Sequence, residues 1–256
     1  AAVQVDMAIA QTVANLRPAA TALLHRLPAY EAPVPVEGMV KLGLDLAEPE
    51  KLLEELLAVS LVEPIAQPRI KRVEYQLSPL VVAWLAAQDD VPQPTPALLK
   101  SAADFLYYLF EHEDGRHTLP YATTVHHALR RAGEKDRADR LALDTIVGWL
   151  SRAGLYQPVL DEWLADIVPS TNPQIKADAL NLTGKQHLHL GNFSQALPLF
   201  EQSLKIWREI GDKAGEGATL NNISGIYRAR GDYDTALAFL EQSLKIWREI
   251  GDKAGE

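Results

Sequence analysis

The chain has 256 residues, 47% apolar and 23% charged, with no cysteine and a formal net charge of −9. These values belong to a globular chain of one or two domains rather than a disordered one. The missing thiols exclude disulfides, cysteine-ligated zinc and cysteine nucleophiles, and the acidic balance opposes general binding to nucleic acid or anionic lipid.

Residues 1–90 open with helical patterns at Met7–Leu16, Pro18–Leu27, Val36–Leu44 and Glu48–Ala58. In the last of these, Leu52, Leu53, Leu56 and Leu57 form one apolar stripe. Residues 60–66 and 71–77 read as two short strands joined by Gln67-Pro68-Arg69-Ile70. Ser78-Pro79 then starts a helix to Ala87, with proline at the first helical position, where its missing N–H is tolerated. Helices, a two-stranded wing and a closing helix are the grammar of a winged helix. Such a fold often binds DNA. Here the helix before the wing carries Glu48, Glu50, Glu54 and Glu55 against Lys51, and carboxylates facing phosphates weaken binding. Arg69, Lys71 and Arg72 make the wing basic, which three charges on a solvated hairpin explain. No nucleic-acid partner is expected. The longest apolar run is Leu80–Ala87, against about 20 residues for a membrane span. No membrane partner is expected either, and a cytoplasmic location is.

Val91–Pro96 is a proline-rich linker and the predicted domain boundary. Beyond it, 97–173 reads as an arm of diverged helical hairpins. Ala97–Glu111 carries Phe105, Leu106, Leu109 and Phe110 on one face. Tyr121, Val125, Ala128 and Leu129 mark a helix that stops at Gly133. Ala138, Leu141, Ile146 and Trp149 mark another that stops at Gly154, and Val159, Trp163 and Ile167 a shorter one that ends before Pro169.

The last third contains an internal repeat. The segment EQSLKIWREIGDKAGE stands at 201–216 and again at 241–256, and 21 of 40 positions agree between 177–216 and 217–256. Each copy reads as two helices. In the second, Leu220, Ile223, Ile226 and Tyr227 recur at helical spacing, Gly231-Asp232 supplies a turn and an N-cap, and Ala236, Leu237, Leu240, Leu244 and Trp247 follow. The first copy repeats this with Gly191-Asn192 at the turn and Phe200, Leu204 and Trp207 beyond it. Both tryptophans are expected in the core. Pro198 is expected near its helix start, where it costs little.

The small Gly184 and Ser224, the aromatic Phe193 and Tyr233 and the paired Ala196 and Ala236 resemble the tetratricopeptide repeat. The 40-residue period and Leu220-Asn221-Asn222 are similar to the longer repeats of kinesin light chains and bacterial signalling proteins. The expected fold is mainly α: a winged-helix domain over 1–90, the linker at 91–96, the arm at 97–173, and a right-handed α-solenoid of tetratricopeptide-like hairpins over 174–256.

That order resembles the C-terminal half of bacterial STAND-type signalling ATPases. Residues 56–63 and 73–81 are similar to that family's wing and following helix. The resemblance implies a ligand-sensor region, coupled by the winged helix to a nucleotide-binding domain upstream. The family's histidine before the proline is Ser78 here, so no nucleotide contact is carried over. A free-standing peptide-binding adaptor and a DNA-binding regulator are the alternatives.

No phosphate-binding loop of the Gly-x-x-x-x-Gly-Lys-Ser/Thr type occurs. His112 and His117 are five apart around Gly115, His126 and His127 are adjacent, and His187 and His189 are two apart. None has metal-ligand spacing on one helix face. No catalytic residue, metal or cofactor is expected, and this segment is not expected to bind or hydrolyse ATP. The resemblance places the first helix of each hairpin on the ligand side. The candidate ligand-binding residues are Asn181, Lys185, His189, Asn221 and Arg228, with Gly225 beside them. Lys185 and Arg228 are cationic on an acidic chain, so an acidic peptide or protein ligand is expected. Asn181 and Asn221 admit a second reading, a hydrogen bond to the neighbouring hairpin. Leu237, Leu240, Leu244 and Trp247 are expected to lack full cover, which implies self-association or further copies of the unit in the full protein.

Overall fold

The computed structural model describes residues 2–68 and 70–251. Arg69 of the basic wing and 252–256 of the second repeat copy lie outside the described residues. Contacts divide the chain into two units, 1–138 and 139–256.

The first unit begins with α1 (Ala2–Ala14), α2 (Pro18–Arg26), α3 (Val36–Lys41) and α4 (Pro49–Ala58). The α4 stripe buries Leu52, Leu53 and Leu56 where α4 packs on α2 and α3, which bury Leu23, Leu24 and Met39, while Leu57 stays half-buried. Glu48 starts this helix in the left-handed region, at φ 52°, an uncommon conformation for a residue with a Cβ. Strands β1 (Val62–Gln67) and β2 (Arg72–Leu77) pair antiparallel, from Val62 opposite Leu77 to Gln67 opposite Arg72. Val34 adds an isolated bridge to Tyr75. Then α5 (Pro79–Ala86) starts with proline at its first turn, as the sequence indicates.

The proline-rich segment leads into α6 (Pro96–His112), whose Thr95 cap accepts from the Leu98 N–H at 3.3 Å. Val91–Pro94 help to line a cavity with α2, α3 and α5 of this same unit. Helix α7 (Leu119–Arg131) packs on α6 and buries Ala122, Val125, Ala128 and Leu129. In the turn between them, Arg116 is 3% exposed and donates to Glu74 of β2 and, at 2.6 Å, to Glu113. Burial alone would lower the Arg116 pKa, but its hydrogen bonds to Glu74 and Glu113 outweigh that and raise it. The buried guanidinium ties the hairpin to the α6–α7 turn. Helix α8 (Lys135–Leu141) spans the division between the units, which falls inside the segment read from sequence as one arm.

The second unit continues through a π-helical turn (Ala142–Ile146), α9 (Val147–Arg152), the short α10 (Tyr156–Pro158), a second π-helical stretch (Val159–Leu164) and α11 (Ala165–Ile167). The repeats follow as two helical hairpins, α12 (Pro173–His189) with α13 (Phe193–Ile210), and α14 (Lys213–Ala229) with α15 (Tyr233–Ile250). The Asn172, Asp212 and Asp232 side chains cap α12, α14 and α15 by accepting backbone N–H bonds, at 2.8 Å from Gly215 in the case of Asp212. Gly211 and Gly251 end α13 and α15 with φ above 70°, a conformation that costs glycine nothing.

Two close approaches fix the hairpin packing. A Cβ at Gly184 would lie 2.7 Å from the Phe200 ring, and one at Gly215 would run into the Trp207 indole. A hydroxyl tie recurs in both copies: Ser203 donates to the Ala177 carbonyl and Ser243 to the Gly217 carbonyl, each at 2.8 Å. Pro198 corrects one expectation. It is the sixth residue of α13, past the first turn, so its missing N–H does remove a helical bond. The burial of Phe200, Leu204 and Trp207 beyond it keeps the helix in place. Among the described residues, no helix is long and apolar enough to cross a membrane.

Candidate functional site

In α12, Leu182, Lys185, Gln186 and His189 stand at i, i+3, i+4 and i+7, so they share one helix face. Opposite them, Val147, Gly148, Ser151 and Arg152 share one face of α9. Together with Tyr156, these residues enclose a cavity of about 370 Å³ within the second unit. The preceding π-helical turn sets the rotation of α9. Such turns add a residue to the helical repeat and often accompany functional sites.

The pocket is basic. Its lining holds Arg152, Lys185 and His189 and no carboxylate. Among the described residues, neither Arg152 nor Lys185 has an ion-pair partner, although most other arginines of the chain do. The remaining polar groups are held in place. Ser151 Oγ donates to Gln186 Oε1 at 3.1 Å, and Gln186 Nε2 donates to the Leu182 carbonyl at 3.2 Å. The Tyr156 and His189 rings stack at 4.9 Å between centroids and 12° between planes. His187, two residues earlier, does not line the pocket, and burial lowers its pKa.

The structure brings Lys185 and His189 of the sequence candidates into one pocket. Asn181 is engaged elsewhere: its Oδ1 accepts from Asn222 Nδ2 of α14 at 2.9 Å, a side-chain bond between neighbouring hairpins. Asn221 and Arg228 are exposed on α14 and do not line this cavity, and Gly225 is half-buried beside Leu188. Sequence reasoning missed Gly148, Ser151, Arg152 and Tyr156. They lie before the repeat pattern begins, and only the π-turn rotation and the approach of α12 bring them to one face. A basic residue at 152, just before the helix-ending Gly154, was the one available signal.

Of the expected core tryptophans, Trp207 is 2% exposed, while Trp247 is only half-buried. Among the described residues, no group of three or more His, Cys, Asp or Glu side chains could hold a metal ion.

Residues 176–249 match the tetratricopeptide repeat family. With the two helical hairpins, this makes the end of the chain a tetratricopeptide-like helical solenoid. Two solved structures are similar over 98% of the chain. One is a Signal Transduction ATPase with Numerous Domains (STAND) protein with a tetratricopeptide repeat sensor from Pyrococcus horikoshii, at 18% identity and a TM-score of 0.45. The other is BtubC (BKLC) from P. vanneervenii, at 14% identity, a TM-score of 0.49 and 93% of that protein covered. The chain spans 47% of the Pyrococcus horikoshii protein. A search of the curated proteins finds no match.

Proposed function

We propose that this chain is the ligand-recognition and coupling region of a cytoplasmic, bacterial STAND-type signalling protein. The repeats take a peptide or protein ligand, and the first unit couples that event to a nucleotide-binding domain upstream in the parent protein. The pocket between α9 and α12 carries the reading, because two unpaired cations face a carboxylate-free cavity on a chain of net charge −9. Tetratricopeptide repeats commonly bind peptides or proteins, which supports an interaction role. The helices, the β1–β2 hairpin and α5 follow the order expected of a winged helix, and the Glu-rich α4 supports a role other than DNA binding. Coupling would be a population shift, the ligand binding more tightly to the open state of the parent protein. This segment itself is non-catalytic in the proposal, since the sequence carries no phosphate-binding loop.

Two measurements on the 256-residue chain test this. Immobilised chain should retain members of a random hexapeptide pool above an inert carrier protein, and retention at background level overturns the interaction role. Calorimetry with ATP should show no saturable binding at micromolar concentration, and such binding would overturn the assignment of nucleotide chemistry to another domain. A second interaction is favoured by Tyr233, Leu237 and Leu240, which are 69%, 55% and 40% exposed on α15. Self-association through this face should raise the sedimentation coefficient with concentration, and an invariant monomer excludes it.

A further inference from the structure

We infer that the cavity in the first unit is a binding site for a neutral, mainly apolar small molecule that carries a hydrogen-bonding group, with the proline-rich segment Val91–Pro94 as one of its walls. The inference is independent of the repeats and of the pocket between α9 and α12. Three observations carry it.

The first is size and wall chemistry. The cavity has a volume of about 490 Å³, inside the range of roughly 300–1,000 Å³ usual for small-molecule sites. Its apolar wall runs from the buried Leu27, Met39, Leu77 and Leu85 to the exposed Val82 and Ala86 of α5. A ligand that covers this surface gains the free energy of taking it out of water. The segment that reads from sequence as a linker completes the lining. Pro92 and Pro94 have a fixed φ and no N–H, so this wall is stiff and offers no backbone donor at those two positions.

The second is charge. The charged residues of the lining are Glu31 and Arg131, and they neutralise each other. Their ion pair is 3.1 Å long. The Arg131 guanidinium also donates to the Ala29 and Pro28 carbonyls at 3.2 and 3.1 Å, and His127 lies 2.8 Å from the other Glu31 oxygen. An anionic ligand would find no free cation here, and a cationic one no free carboxylate. Desolvating an unpaired charge against apolar walls is costly, so the site selects an uncharged molecule.

The third is a set of neutral polar groups with nothing to bind. The His25, Gln76 and Gln93 side chains line the cavity from α2, β2 and the proline-rich segment. None of the three has a side-chain hydrogen bond among the described residues. Burial holds the His25 pKa below its ordinary value, against a smaller opposing pull from Asp90, so the imidazole is present as one donor and one acceptor. Two amides and a neutral ring are suited to a hydroxyl, an amide or a ring nitrogen on the ligand.

The test uses the 256-residue chain and N-phenylnaphthylamine, a neutral probe that fluoresces in apolar surroundings. It should bind saturably at one molecule per chain. Its sulfonated analogue, anilinonaphthalene sulfonate, should bind about tenfold more weakly, since it adds a charge with no partner. Val82→Phe with Ala86→Phe fills the cavity from two exposed positions and should abolish saturable binding with an unchanged circular dichroism spectrum. Leu237→Glu with Leu240→Glu, on the exposed apolar face of α15, should leave binding unchanged. In competition, naphthol should displace the probe about fivefold better than naphthalene, and His25→Leu with Gln76→Leu and Gln93→Leu should remove that difference. Absence of saturable binding, equal or tighter binding of the sulfonated analogue, binding that survives the two phenylalanines, or binding lost with the α15 substitutions overturns the site. Equal displacement by naphthol and naphthalene overturns the hydrogen-bonding group assigned to its ligand.

Discussion

The two repeat copies carry the same ten residues, EQSLKIWREI, on α13 and α15, yet they are buried differently. On α13, Leu204 and Trp207 are 8% and 2% exposed. On α15, the corresponding Leu244 and Trp247 are half-buried. Among the described residues, α13 packs against both α12 and α14, whereas the contacts of α15 are mainly with α14. The tryptophans also turn different ways. Trp207 lies over Gly215 of the following helix, and its indole N–H has no hydrogen-bond partner. Trp247 lies over Gly217 of the preceding helix and donates to Ser243 Oγ at 3.0 Å. The residue of the first copy that corresponds to Gly217 is Ala177. Its methyl group would crowd a ring placed as Trp247 is. An identical stretch of sequence therefore has two packing arrangements among the described residues.

The comparison is broken most directly by removing each tryptophan. Trp207→Ala should cost about 3–5 kcal/mol, as for a fully buried aromatic, and Trp247→Ala about 2 kcal/mol or less. Thermal or urea unfolding reads both, and equal losses would mean that the copies are packed alike.

Adding one methyl group sharpens the geometry. Gly215→Ala drives a Cβ into the Trp207 ring and should cost about 1–3 kcal/mol. Gly217→Ala meets Trp247 at 3.0 Å and should cost less, because that ring has free space to turn into. Tryptophan fluorescence should shift in this variant as the indole leaves Ser243, and an unshifted spectrum would contradict the orientation given for Trp247.

A smaller effect separates the two asparagines aligned by the repeat. Asn181→Ala removes the bond from Asn222 and should cost about 1 kcal/mol. Asn221→Ala, at the same position of the second copy, should change stability by less than about 0.5 kcal/mol. Equal losses would return Asn221 to a structural role.

The smallest effect is in the pH dependence. Burial would raise the Glu216 carboxyl, but hydrogen bonds from Lys213 and Arg208 outweigh it and hold its pKa below the ordinary value. A depressed carboxylate contributes stability above its unfolded-state pKa, about 4.3. That contribution fades as pH falls through the lower folded-state value. Glu216→Gln should lower stability at neutral pH and flatten its decline on acidification. A slope unchanged by the substitution would show that the Lys213 and Arg208 bonds do not set the titration of Glu216.

Two of the nine residues that line the candidate site were legible in sequence. Lys185 and His189 follow from the first helix of a recognised hairpin, because their spacing on one face is fixed by 3.6 residues per turn. Arg152, Gly148 and Tyr156 were not legible, because a π-turn has no simple sequence signature and shifts every face after it. Asn181 was legible as a residue needing a partner, but its partner is Asn222, which the alignment of the copies does not single out.

The sequence alone determined the repeat helices and their ends. Apolar residues at three- and four-residue steps wrote the repeat helices, glycines at φ above 70° closed them, and Asp212 and Asp232 capped the next ones. These signals act within one helical turn, so they need no neighbour. The tertiary structure alone decided which face of EQSLKIWREI is covered, which way each tryptophan turns, and which cations are left without a partner. Burial and charge pairing depend on atoms brought in from elsewhere in the chain, and identical local sequences meet different atoms.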